Sequence, residues 1–150
     1  MSHTYTKNHF HIVFSTRGRR KLISKQIQPK LWAYMAGICR NVGIWVHVVG
    51  GIEDHIHAVV MAPPTLSPSQ IAQYLKGDSS KWIHDEFPKL RLFEWQDGYG
   101  GFTVSKSQLP EVIQYVKNQR AHHQKKTFQQ EYLELLKKHD VDYDDQDLWG

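Results

Sequence analysis

Short runs in which apolar and polar residues alternate recur along this chain, separated by longer stretches whose apolar residues fall three or four apart. Residues 9–16 place Phe10, Ile12 and Phe14 on one side and read as a first strand. Ser24 is a candidate N-cap for a helix to about residue 41, with Leu31, Met35 and Ile38 on one face and Gly43 closing it. Residues 44–49 and 52–61 read as two strands of an antiparallel hairpin, joined at Gly50-Gly51 and ended by Pro63-Pro64. Ser67 or Ser69 then caps a helix to about residue 87, with Ile71, Leu75, Trp82 and Ile83 as its core stripe. Residues 93–95 and 99–105 form short strands around the glycines at 98–101. A third helix starts at Leu109-Pro110-Glu111, where proline's missing N–H costs nothing, and continues to about residue 125. Thr127 starts a fourth helix over 128–138. The order β-α-β-β-α-β-α predicts an α+β fold, one antiparallel sheet with helices packed on it.

Against this pattern the segment His55-Ile56-His57 stands out. On a strand both histidines point one way while Ile56 points into the core. Two imidazoles side by side on a rigid strand make half of a divalent metal site; the plainer alternative is a polar pair on a solvent-facing strand. A histidine-triad hydrolase needs a third histidine where Val59 stands, and a metallo-β-lactamase H-x-H-x-D-H fails at Val59 and Val60. Cys39 is the single cysteine, which argues against a structural zinc site and an intrachain disulfide framework. The remaining ligands must come from elsewhere in the chain.

Composition adds a bound and an asymmetry. The 150 residues suffice for one domain with a core. An apolar leader region is absent from residues 1–30, and no apolar run approaches about 20 residues. A soluble, cytoplasmic protein without membrane contact is therefore expected. The net charge of +4 hides eight Lys/Arg and no acid in residues 1–52, against two bases and seven acids in 131–150. Arg17, Arg19, Arg20 and Lys21 crowd one loop after the first strand. Such a loop either stays solvated or grips phosphate oxygens, and the latter reading makes these four the candidate DNA-binding residues. Residues 140–150 form an acidic tail beyond a domain of 1–139.

The third helix supplies a second set of chemical groups. Tyr115, Gln119 and His122 lie at i, i+4 and i+7 and share a face, opposite Val112, Ile113 and Val116. Taken together, four stretches make the chain resemble the single-tyrosine HUH transposases of the small insertion-sequence and REP-associated type. They are residues 9–20 with the basic loop, Gly51-Ile52-Glu53-Asp54-His55-Ile56-His57, residues 75–81 with 95–105, and Tyr115-Val116-Lys117-Asn118-Gln119 with His122-His123 and Phe128-Gln129-Gln130-Glu131. They run in order from residue 9 to 131. The acidic residues 140–147 are not covered by the resemblance.

The resemblance implies a ferredoxin-like HUH nuclease core, with His55, His57 and Gln119 as ligands of Mg2+ or Mn2+ and Tyr115 as nucleophile. It also implies a homodimer acting on single-stranded DNA beside a hairpin, in which the tyrosine helix of one subunit completes its own or the partner's site. An open sheet edge in so short a chain is compatible with such pairing. Among the other tyrosines, Tyr5, Tyr34, Tyr74, Tyr99, Tyr132 and Tyr143 have no metal-capable amide one helical turn on. A covalent 5′-phosphotyrosine with a free 3′-hydroxyl would conserve the phosphodiester energy and permit rejoining without ATP. A replication-initiator or relaxase-type nickase and a catalytically silent hairpin-binding protein are the alternatives.

Overall fold

The computed structural model describes residues 3–150. Four strands, β1 (Asn8–Ser15), β2 (Trp45–Ile52), β3 (His55–Ala62) and β4 (Gly100–Thr103), form one sheet in the order β2-β3-β1-β4 with every pair antiparallel. The four predicted helices occur in order, the third in two pieces: α1 (Gln28–Asn41), α2 (Pro68–Glu86), α3 (Leu109–Lys117) with α4 (Gln119–His122), and α5 (Phe128–Lys138). The fold is the antiparallel α+β arrangement that the pattern predicts.

The period of two along β1 and β3 divides the protein into two layers. Ile12, Phe14, Ile56, Ala58 and Val60 face α1 and α2 and join Leu31, Met35, Ile71 and Leu75 in the larger core. Val13 faces the other way, into a smaller core with Phe102, Phe128, Tyr132 and Leu136 under α5. His9, His11, His55 and His57 belong to this second face, which α3 also covers by packing on β2 and β3. His55 and His57 are therefore buried, both 0 % exposed, and not on the solvent-facing strand surface that a half-buried hairpin predicts. The reason is long-range: β3 is an interior strand, and three helices from the last third of the chain close over it.

Local differences have local causes. Helix α1 begins at Gln28 because residues 24–27 close a turn first, with Ile27 N–H donating to the Ser24 carbonyl over 3.0 Å and Pro29 set in the first helical turn. The Gly50-Gly51 pair lies inside β2, and the hairpin turns at Glu53-Asp54 instead. Of the predicted strand at 93–95 only an isolated Thr16–Trp95 bridge forms, with the Trp95 indole N–H donating to Ser79 Oγ over 3.0 Å. The third predicted helix is interrupted at Asn118, which divides α3 from α4. The acidic tail folds back: Leu148 and Trp149 pack on the α5 core, and the Gly150 carbonyl accepts from Asp97 N–H over 2.9 Å.

Both capped helices carry full capping boxes. Ser67 and Gln70 close α2; Thr127 Oγ1 accepts from Gln130 N–H over 3.2 Å while Gln130 Oε1 accepts from Thr127 N–H over 2.9 Å. Thr127 thus starts the helix that carries Glu131. Thr127→Ala is expected to lower stability by about 1 kcal/mol in urea unfolding; an unchanged midpoint and slope would show that tertiary packing alone holds α5.

Candidate metal and nucleophile site

Glu131 is the centre of the site. It projects from the first turn of α5 and is 1 % exposed, with each carboxylate oxygen facing a different set of groups. Oε1 lies 3.0 Å from His57 Nε2, 3.1 Å from His123 Nε2 and 3.3 Å from His55 Nε2. Oε2 accepts the Tyr115 hydroxyl and Gln119 Nε2 (3.1 Å), with His122 Nε2 at 3.4 Å. One carboxylate thereby joins the histidine pair of β3 to the tyrosine of α3.

The surrounding strands and helices fix these groups. Within β3 the two histidines lie opposite Ser15 and Val13 of β1 and opposite Ile52 and Gly50 of β2. Outward from the centre, His55 Nδ1–H donates to Asp54 Oδ1 over 2.7 Å and His123 Nδ1–H donates to the Lys126 carbonyl over 2.8 Å. His57 Nδ1 lies 2.7 Å from His11 Nε2 on β1. Gln119 directs Oε1 inward, 2.9 Å from both His55 Nε2 and His123 Nε2. The predicted face of Tyr115, Gln119 and His122 is realised, with the Tyr115 hydroxyl 3.4 Å from His122 Nε2.

Charge follows from this packing. Burial opposes ionisation of Glu131, but the His57 charge and hydrogen bonds from His123, His55 and His57 outweigh it and hold the carboxyl far below the usual range. Burial likewise disfavours a charged His55, yet its hydrogen bonds to Asp54 and Glu131 raise it to about 9. His57 is pushed down, chiefly by burial. Tyr115 is pushed well above an ordinary phenol by burial and then by the negative charge of Glu131, so in this arrangement it stands as a phenol.

His55, His57, His123 and Glu131 offer four ligand atoms within 4.8 Å of one another, three imidazole nitrogens and one carboxylate oxygen. That donor set fits a divalent transition ion, and the inward-facing Gln119 oxygen adds a fifth donor. The predicted ligands His55, His57 and Gln119 are thus brought together, beside Tyr115. Glu131, His123, Asp54 and His11 were not assigned roles from the sequence. His123 and Glu131 lie in the stretches that carry the family resemblance, but no spacing signals that α5 turns Glu131 back onto β3. His11 faces His57 only because β1 is inserted beside β3.

Gly50 sets how closely α3 approaches. It lies opposite His57 in the sheet, and a Cβ built on it would stand 2.9 Å from the Val116 carbonyl oxygen and 3.1 Å from Val116 Cγ1. The helix backbone next to Tyr115 therefore rests directly on the strand, which places the Tyr115 ring centroid 5.7 Å from that of His57 in the same chain.

The basic loop is only partly free. Arg17 pairs with Glu94 and Asp97 at 2.9 and 2.6 Å. Arg19 donates to the Trp149 carbonyl over 3.4 Å and covers its ring. Arg20 and Lys21 are exposed, with no side-chain partner among the described residues. A groove of ≈ 520 Å³ next to the site is lined by Arg19, Lys21, Lys125 and Lys126 together with Asp54 and His123. No described helix is long and apolar enough to cross a membrane.

The antiparallel sheet with its covering helices is a fold shared with transposases of known structure, and the sequence belongs with theirs. Residues 4–119 match the IS200-like transposase family, and the chain belongs to that family. The transposase of insertion sequence element IS200 from Salmonella typhimurium is 27 % identical over 124 residues, covering 79 % of this chain and 81 % of the relative. The ISDra2 transposase TnpA of Deinococcus radiodurans is 22 % identical over 115 residues, covering 73 % and 82 %. In fold, a crystal structure of a transposase from Deinococcus radiodurans superposes with a TM-score of 0.66 at 22 % identity, over 79 % of this chain and 95 % of that one. A REP-associated tyrosine transposase bound to a REP hairpin superposes with a TM-score of 0.59 at 16 % identity, over 82 % and 73 %.

Gly50→Ala is expected to cost about 1–3 kcal/mol by overpacking α3 against β2, measured by urea unfolding. It should also shift the Tyr115 ring resonances; an alanine variant with wild-type stability and spectra would show that the helix is seated by other contacts.

Proposed function

We propose that this chain cleaves and rejoins single-stranded DNA beside a hairpin, with Tyr115 as the nucleophile and a divalent ion held by His55, His57, His123, Glu131 and Gln119. The observation that carries the reading is the Glu131 carboxylate, whose two oxygens face the imidazole cluster and the Tyr115 hydroxyl within one chain. When bound, Mg2+ or Mn2+ would neutralise charge on the scissile phosphate, and the imidazole-rich set favours Mn2+. The bound REP hairpin of the structural neighbour supports a hairpin substrate.

The residues divide the chemistry between them. Glu131 Oε2, already accepting the phenolic O–H, receives its proton as Tyr115 Oη attacks phosphorus. The bond from phosphorus to Oη forms as the bond to the 3′-oxygen breaks, leaving a 5′-phosphotyrosine and, after protonation, a free 3′-hydroxyl. Attack by a 3′-hydroxyl on the same phosphorus reverses these bonds, returns the phenol and joins strands without a nucleotide cofactor. A cavity of ≈ 380 Å³ opens beside Tyr115, His122 and Glu131 and gives the phosphate a route to the nucleophile. Lys21 and Lys125 line the adjoining basic groove, Arg20 is exposed next to Lys21 in the same loop, and all three are proposed to hold the flanking backbone. Arg17 and Arg19, tied to Glu94, Asp97 and Trp149, exchange those partners for phosphate in the same scheme.

The site proposed here is complete in one chain, and a homodimer is a second-order question for it. Tyr115→Phe is expected to abolish the covalent DNA adduct on a denaturing gel in Mn2+ while hairpin binding persists. Adduct formation by the phenylalanine variant would remove Tyr115 from the role, and a wild-type chain that binds hairpins without forming any adduct would support the silent hairpin-binding alternative. Mixing Tyr115→Phe with His57→Ala protein is expected to restore no cleavage, since every subunit then carries a broken site; recovery of activity would show that tyrosine and histidines come from different subunits of a dimer.

Salt dependence tests the groove. Replacing Arg20 and Lys21 by alanine is expected to reduce the log–log slope of hairpin affinity against salt by about 0.7–0.9 per residue. An unchanged slope would place the DNA on another surface.

A further inference from the structure

Three imidazoles face Glu131 Oε1, and each is held at its outer nitrogen. His55 Nδ1 meets the Asp54 carboxylate at 2.7 Å, and His123 Nδ1 meets the Lys126 carbonyl at 2.8 Å. Both partners only accept, so each Nδ1 carries a hydrogen. His57 Nδ1 meets a third imidazole, His11 Nε2, at 2.7 Å, and either ring could donate there.

Without an ion, His57 Nε2–H donates to Glu131 Oε1 over 3.0 Å. We propose that His11 is a positioning residue for the ion-bound state, in which its Nε2 accepts the His57 Nδ1 hydrogen and leaves the His57 Nε2 lone pair turned toward the ion. This rests on the metal reading given above. An imidazole that binds through Nε2 must carry its hydrogen on Nδ1, and a buried N–H needs an acceptor. His11 is the acceptor that the structure supplies, because no carboxylate or carbonyl takes that place. It is 4 % exposed and stacked on His57, with ring centroids 5.0 Å apart and planes at 25°. Its hydrogen then sits on Nδ1. The placement follows from the sheet: His57 lies opposite Val13 and His11 opposite Val59, so the two histidines are diagonal neighbours on one face. The Tyr115 ring meets His11 in a T-shaped contact with centroids 6.3 Å apart, so His11 lies beside both His57 and Tyr115.

A ring that merely fills space would be replaceable by any flat ring, which separates the two roles. H11F keeps the stack and loses the acceptor; H11Q keeps an acceptor oxygen near the position of Nε2. Calorimetric titration of the full chain with Mn2+, without DNA, is expected to show a dissociation constant raised about 10- to 100-fold in H11F and close to wild type in H11Q. Unchanged affinity in H11F, or equal loss in both variants, overturns the inference. The wild-type protein supplies a readout free of any substitution. In the Zn2+-loaded chain, long-range proton–nitrogen correlation spectra are expected to show the His57 hydrogen on Nδ1, and a hydrogen on Nε2 overturns the inference. A wild-type chain that takes up neither Mn2+ nor Zn2+ overturns the metal reading and this inference together, whereas ion binding with an unaffected H11F overturns this inference alone.

Discussion

A carboxylate 1 % exposed to solvent cannot stay ionised unless something compensates it, and the second face of this protein is organised around doing so for Glu131. Its Oε1 is met by three imidazole nitrogens and its Oε2 by a phenol, an amide and, more distantly, a fourth imidazole. Stripping a partner from such a buried ion typically costs about 3–5 kcal/mol, comparable to a large part of a small domain's stability. The strands, the tyrosine helix and the last helix are therefore coupled through one side chain. Glu131 and those three imidazoles could hold a divalent cation, with ligand atoms within 4.8 Å of one another.

Close approach makes this coupling possible. Helix α3 lies on the sheet at a position where β2 has no side chain, and Gly50 beside His57 lets the Val116 carbonyl come within the space a Cβ would occupy. From the other side, α5 is started by the Thr127 capping box, so Glu131 arrives one turn into a well-defined helix. Two helices from the last third of the chain are thus set against an interior strand from its middle. The arrangement brings Tyr115 and the cluster of His55, His57, His123 and Glu131 together within a single chain.

Charge along the chain complements that site. The acid-free first third supplies Arg19 and Lys21 to the groove, and the 123–130 segment supplies Lys125 and Lys126. The acidic last stretch ends by returning to the basic loop, where Trp149 lies under Arg19 and the Gly150 carbonyl meets Asp97 N–H. Glu94 and Asp97 neutralise Arg17 while the Trp149 carbonyl and ring hold Arg19, which is why a count of loop arginines overstates the cations left free.

Local pattern determined much of this protein by itself. Alternation along β1 and β3, the serine and threonine caps of α2 and α5, the prolines at helix starts and the Tyr115–Gln119 spacing all act within a few residues, and all are present in the fold. The His55–Ile56–His57 alternation also set which side of β3 carries the chemistry. What only the tertiary structure decided is whatever depends on chain order being folded over: that β1 lies between β3 and β4, that the histidine face is covered, and that Glu131, His123 and His11 converge on it. Glu131 is 74 positions from His57, and His11 is 46. No local spacing encodes such a distance, because these contacts are created by burying apolar faces of separate elements against one sheet. The buried polar groups are then carried in with them and must find partners there.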